Sequence, residues 1–365
     1  MKVIFITREG YELSGARVRC HNFARELRCH GIDARVFSFA DEFGATYGEK
    51  EFGMSLPYKL WLNARALGRF MHEDPHTVFI LQRFNYHALA PLLAAGWKGH
   101  RVIFDCDDWN MREDPVYHWG FYPSSKMEYV TRRVARKAVM CIAASRYLQE
   151  YLKAFNPRVA YIPTGVDTRQ FFPRPGQDRA ELVFSWIGTA YHEEMGHNLD
   201  FLLSCFESLA DHYAHVVLSL AGEGKYFERF CQSIETHPHR ARIRVNCWIP
   251  ADEMPAYLAG VDVGLLPLIQ QTKFNLSKSP TKLFEYMAMG LATIASGTGE
   301  AGHILKDGHT GLLAQDCDAF TAAMQRMVED VSLRRDIGRR ARQDVEERFS
   351  VELLGRQLAG LLKDI

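Results

Sequence analysis

The chain has 365 residues, long for one compact core, so two domains of roughly 150 to 200 residues are expected. Lysine plus arginine equals aspartate plus glutamate at 44 each, which leaves no global field to draw nucleic acid or an anionic membrane and makes any charge-based function local. The eight cysteines are scattered without a C-x-x-C pair, which argues against a disulfide framework or zinc ribbon and fits a reducing cytoplasm.

The opening MKVIFITREGYELSG pairs a short apolar strand with polar residues, too brief for a signal peptide, and no later run approaches a bilayer span. A soluble, cytoplasmic protein is expected, at most peripheral at a membrane. Short β-branched runs then alternate with longer amphipathic ones, the mark of a parallel sheet covered by helices. Strands are expected at 2–7, 34–39, 77–82, 101–106, 139–144 and 159–164. Helical patterns lie between them, in ARVRCHNFARELRCHG up to Gly31, in KLWLNARALGRFM after Pro57 and in KMEYVTRRVARKA. RQFFPRPGQDRAE, with its prolines, glycine and charges, reads as the linker. After it ELVFSWIG, HVVLSLAG, RIRVNCW, VDVGLLPL, LATIAS and TGLLA supply a second set of strands. Two similar α/β domains in tandem imply a cleft between them.

The first turn, TREGYELSGARVR, tests for a dinucleotide enzyme. Its Gly10 and Gly15 are wrongly spaced for G-x-G-x-x-G, so nicotinamide and flavin chemistry are not expected. Gly15 is either a point of backbone approach to a ligand or an ordinary turn. In KSPTKLFEYMAMG, residues 278–290, Ser279 is a good N-cap, Pro280 suits the first helical position and Gly290 is a natural stop. A helix over about 280–289 therefore carries Lys278 and Lys282 at its electropositive end, where a lysine ordinarily costs about 0.3–1 kcal/mol. The pattern suits either an anion site or a plain i,i+3 pair of Lys282 with Glu285.

YIPTGVDTRQFFP, residues 161–173, resembles glycosyltransferase family 4, whose N-terminal domain closes on I-P-N-G-V-D followed by phenylalanine and proline. Here Ile162, Pro163, Gly165, Val166, Asp167, Phe172 and Pro173 match, with Thr164 in place of asparagine. The likeness continues through SWIGTA, SLAGEGKYFE, VNCWIPADEMPAYLAGVDVGLLPL and the 278–290 stretch, and more loosely through SGARVRCHNFARELRCHG. It implies an α/β fold of GT-B architecture, two Rossmann-like doubly wound domains facing across a cleft. The expected division is an acceptor domain at 1–167, a linker at 168–180, a nucleotide-sugar donor domain at 181–345 and a helix at 346–365 returning to the N-terminal domain.

The resemblance also implies roles. The donor diphosphate would lie at the helix start with Lys278 and Lys282, and Glu285 would accept the ribose hydroxyls, with Gly188 of SWIG alongside. Many members carry a sugar-binding glutamate where counting back from Glu285 reaches Ser277, and basic residues at the positions of Thr189 and Met195. Those departures point to a divergent branch. In FDCDDW, Asp107 stands near a histidine of the family, and Asp107 and Asp108 are candidates to orient an acceptor hydroxyl or take its proton. Arg17, Arg19 and Arg83 lie at other strand exits, to meet phosphate or acceptor. The basic run RRVARKAV is either a membrane-facing or a solvated helix face.

The implied activity is transfer of a sugar from a nucleotide-diphosphate sugar to a glycan, lipid-linked or small-molecule acceptor, retaining by family analogy. The catalytic candidates are Lys282, Glu285 and Asp107, with no cofactor and no metal. Against metal independence stands D-C-D at 105–107, the D-x-D spelling of metal-dependent GT-A enzymes. Two rival readings are a nucleotide-sugar 2-epimerase of the same fold and a non-catalytic sugar-nucleotide-binding partner protein.

Overall fold

The structure, a computed structural model, describes residues 1–45, 54–109, 111, 128–174 and 180–365, with the backbone of a small ribbon at 117–118 and 122–123. The chain forms two compact units: Met1–Thr164 with Ser277–Ser279 and Val351–Ile365, and Gly165–Leu276 with Pro280–Ser350. Of the expected linker, 168–174 belong to the second unit, and 175–179 lie outside the described residues.

In the first unit, β1 (Lys2–Thr7), β2 (Asp33–Ser38), β3 (Val78–Gln82), β4 (Arg101–Cys106), β5 (Met140–Ala143) and β6 (Val159–Tyr161) form one parallel sheet in the order β2-β1-β3-β4-β5-β6. Runs such as VFILQ are buried throughout, as expected of a parallel sheet covered on both faces. Alternation sends Ile4, Ile6, Phe79, Leu81 and Phe104 to one core, with Leu62 and Phe70, and Val3, Phe5, Val78, Ile80 and Ile103 to the other. That second core also takes Phe23 and Leu27 of helix Phe23–Cys29, and Leu354, Leu358 and Leu362 of the final helix Val351–Lys363. Gly355 permits this contact, since a Cβ there would come 2.4 Å from Glu26 Cβ.

The segment before Phe23 departs from the regular helix read from ARVRCHNFARELRCHG. Arg17–Asn22 winds as a π-helix, the wider turn that often accompanies special side-chain placement. In helix Glu128–Lys137, Arg132 pairs with Glu128, and Arg132 and Arg136 both lie over the Phe155 ring. Arg133, Arg136 and Lys137 of the basic run at 132–139 remain exposed.

The second unit repeats the plan. Its strands are β7 (Leu182–Thr189), β8 (Val216–Glu223), β9 (Ile243–Asn246), β10 (Val263–Leu266), β11 (Ala292–Ala295) and β12 (Leu312–Leu313), parallel in the order β9-β8-β7-β10-β11-β12. Strand order reverses between β1 and β3 in the first sheet and between β7 and β10 in the second. In open α/β sheets ligands bind beyond the carboxyl ends of the strands at such switch points.

Candidate functional site

In the second unit the switch point is built from the end of β7 and helix Thr281–Ala288. The helix begins one residue later than its sequence suggests. Pro280 occupies the N-cap position with extended backbone, and no side chain caps the helix. The Ser279 hydroxyl instead accepts the Thr164 N–H at 2.9 Å. Leu283, Phe284, Tyr286 and Met287 are buried, and the Tyr286 hydroxyl accepts from Ile187 N–H at 3.1 Å and donates to Ser185 O at 3.2 Å. Arg342 closes the other end, donating to Ala288 O at 2.7 Å.

With the helix so fixed, Lys282 stands in its first turn and Nζ lies 4.2 Å from the Trp186 ring centroid. Gly188, with φ of 151°, makes room, because a Cβ there would come 2.5 Å from Lys282 Nζ. One turn on, Glu285 is buried at 5 % exposure. Lys282 and Glu285 are therefore not a solvated surface pair. Gly188 and Lys282 come together in this unit against Trp186, an aromatic plate that the sequence does not single out, with Glu285 one turn further along the helix. Gly188→Ala is expected to displace the Lys282 ammonium and weaken diphosphate binding about tenfold, on the order of 1.4 kcal/mol, with the fold intact by circular dichroism.

Lys278 and Ser277 precede the helix and cluster with the first unit. Lys278 is half-buried. Ser277 is fully buried; its hydroxyl accepts the Trp109 N–H at 3.0 Å and donates to Asp108 Oδ1 at 3.5 Å. Asp108 is the more exposed of the paired aspartates, and its Oδ1 accepts the Trp109 N–H at 2.8 Å. Of the positions where family members carry basic groups, Met195 is part of the core, whereas Thr189 ends β7 half-buried.

The first unit's switch point is an ion network. Arg83, the residue after β3, has φ of 56°, a rare backbone state outside glycine, and its N–H donates to Asp105 O at 2.7 Å. Its guanidinium donates twice to Asp107, from Nε and from Nη2 at 3.0 Å, and from Nη1 to Glu9 Oε1 at 3.1 Å. Gln82 Nε2 bridges Asp107 Oδ2 at 2.9 Å and Gly15 O at 3.1 Å. A Cβ on Gly15 would stand 2.9 Å from Glu9 Oε2 and 3.0 Å from Arg83 Nη2, so Gly15 belongs to this cluster. Glu9 and Gln82 were missed in the sequence, although a glutamine ending an otherwise apolar strand is a usable signal.

Two of the expected site residues have their polar atoms engaged within this unit. Asp107 was a candidate to take the acceptor's proton. Burial works against its charge, but Arg83, Arg19 and the Gln82 amide hold its carboxyl below the ordinary aspartate range. It positions Arg83. Arg19 was expected to meet phosphate or acceptor. It is 2 % exposed and spends its fork on Asp105, with Nε to Oδ2 at 3.1 Å and Nη2 to Oδ1, and on the Ile162 and Pro163 carbonyls at 2.7 and 3.1 Å. Arg17 is likewise buried, donating to Glu12 O at 3.1 Å. The oxygens of Asp105 and Asp107 are thus engaged by guanidinium and amide groups, and no metal-ligand cluster occurs among the described residues.

Two parallel-sheet units, each with its polar residues at a strand-order switch, define a GT-B glycosyltransferase fold. Residues 13–170 match the family described as Glycosyltransferase Family 4, and residues 181–330 that described as Glycosyl transferases group 1. The two matches together span most of the chain, which has GT-B architecture and resembles glycosyltransferase family 4.

Among solved structures, Anabaena Alr3699/HepE in complex with UDP-glucose superposes with a TM-score of 0.73 at 16% identity, covering 100% of both chains. Sucrose-phosphate synthase from Thermosynechococcus elongatus gives 0.72 at 13% identity, covering 100% of this chain and 99% of that one. A GDP-mannose-dependent alpha-(1-6)-phosphatidylinositol monomannoside mannosyltransferase of Mycolicibacterium smegmatis is 26% identical over 67% of this chain and 66% of its own length. The colanic acid biosynthesis protein WcaL of Escherichia coli K12 is 25% identical over 56% of this chain and 51% of its own. The chain thus spans about two thirds or less of the length of these last two, curated relatives. No helix among the described residues is long and apolar enough to cross a membrane.

Proposed function

We propose that the chain transfers a sugar, with retention, from a nucleotide-diphosphate sugar to a hydroxyl-bearing acceptor, without a divalent metal. The observation that carries the reading is the uncapped start of helix Thr281–Ala288, with Lys282 held over Trp186 and Glu285 buried one turn on. A helix N-terminus and an ammonium group together stabilise the charge that develops on a departing diphosphate. Glu285 is the acceptor for ribose hydroxyls. Support for retention comes from family resemblance alone.

At the other switch point, Asp108 orients the acceptor hydroxyl, since Asp107 is committed to Arg83 and Gln82. The names of the relatives, which include GDP-mannose, UDP-glucose and a phosphatidylinositol mannoside, set the first panel of donors and acceptors. A ligand that binds only the native state raises the melting temperature, so a thermal-shift screen of nucleotide sugars identifies the donor. Transfer should then persist after exhaustive EDTA treatment. Loss of activity restored by manganese or magnesium would move the donor diphosphate to a metal site and remove the role given to Lys282. Donor binding with neither transfer nor hydrolysis would favour a sugar-nucleotide-binding partner protein, and epimer formation from donor alone a 2-epimerase.

A further inference from the structure

Cys205 lies within helix Glu193–Ala210, and Cys317 is the first residue of helix Cys317–Glu329. They are 112 positions apart in sequence, yet their sulfurs stand 3.3 Å apart, and Cys205 Sγ is also 3.8 Å from Cys317 O. The surroundings hold both in place. Phe201 meets Phe320 edge-on at 5.3 Å, and the Asp316 carboxylate caps the second helix through the Ala319 N–H at 2.8 Å. Cys205 is fully buried and Cys317 partly exposed.

We propose that Cys205 and Cys317 form a modification site, a thiol pair that a small-molecule disulfide converts reversibly to an intramolecular disulfide. The exposure difference sets the order of events. The Cys317 thiolate attacks one sulfur of the small disulfide, forming a mixed disulfide and releasing the first thiolate. Cys205 sulfur then attacks Cys317 Sγ and expels the second thiolate. Two protein thiols and one disulfide thereby give one protein disulfide and two small thiols, with the protein protons carried off on the products. Cys205 is the slower partner, since burial and then the neighbouring Cys317 push its thiol up. The bond fastens the helix that follows Gly188 to helix Cys317–Glu329, and by closing a long loop it restricts the unfolded chain.

The test uses the full chain with oxidised glutathione, followed by alkylation and peptide mapping. Wild type is expected to yield a Cys205–Cys317 cross-linked peptide and a higher melting temperature, both reversed by dithiothreitol. Cys205→Ser should retain glutathione on Cys317, and Cys317→Ser should carry no adduct on Cys205. A stable glutathione adduct on Cys317 of the wild type, or recovery of both thiols alkylated after oxidation, would overturn the proposal without reference to any variant.

Discussion

Lys282→Ala is expected to weaken binding of the nucleoside diphosphate identified by the donor screen by roughly 10- to 100-fold, the equivalent of about 1.5–3 kcal/mol for a charge-assisted hydrogen bond. Binding of the bare nucleoside should change little, because the ammonium meets only phosphate. Glu285→Ala should weaken both ligands by a similar factor, since the ribose is common to them. Calorimetry on four protein–ligand pairs separates the two patterns. Lys282 also rests on Trp186, a cation–π contact worth on the order of 0.5–2 kcal/mol, so some loss of stability accompanies the change. A purely structural lysine would lower the melting temperature while leaving the ratio of diphosphate to nucleoside affinity where it was. Equal affinities across wild type and both variants would return the helix to a structural role.

The fold was legible because parallel strands covered on both faces are apolar from end to end. KVIFIT and RVIFDC became strands over the same residues that their composition marks. Helix 281–288 was legible too, in its apolar spacing and its stop, but its cap was not. Ser279 has the chemistry of an N-cap, and only tertiary structure shows its hydroxyl taken by Thr164 N–H. The arginines were the least readable. Nothing local distinguishes Arg19 from a solvated helix residue, since its burial follows from the π turn at Arg17–Asn22 and from an aspartate 86 residues away. The roles of Asp105 and Asp107 were hidden for the same reason. Their D-x-D spacing is a local signal, whereas the arginines and glutamine that meet them arrive from other elements.

Asp105→Asn is expected to destabilise the first unit by about 3–5 kcal/mol, the usual consequence of leaving a buried charge without its partner. The Arg19–Asp105 pair is enclosed by Phe5, Phe23, Ile142, Ile162 and Leu358. Burial pushes the Asp105 carboxyl above its usual range and works against the Arg19 charge too, yet the guanidinium ends above its ordinary value because Asp105 lies on its fork. The pair is therefore charged, since a neutral Asp105 would strand a cation that cannot lose its proton. Replacing both, as Arg19→Met with Asp105→Asn, should recover part of the loss, because no lone charge remains. Recovery stops short of complete, because the Ile162 and Pro163 carbonyls lose the Arg19 donor.

The neighbouring Asp107 supplies the pH dependence. Its carboxyl is lowered in the folded state, so its contribution is fully present above the unfolded aspartate value of about 3.9 and disappears as pH falls through the folded one. Asp107→Asn should consequently flatten the acid limb of the stability profile, whereas Asp105→Asn lowers stability at neutral pH. Urea unfolding of wild type, the two single variants and the double variant, followed by a probe in the first unit, reads all of these. A double variant no more stable than Asp105→Asn would mean that Arg19 supports the carbonyls alone, and that its charge is not the source of the loss.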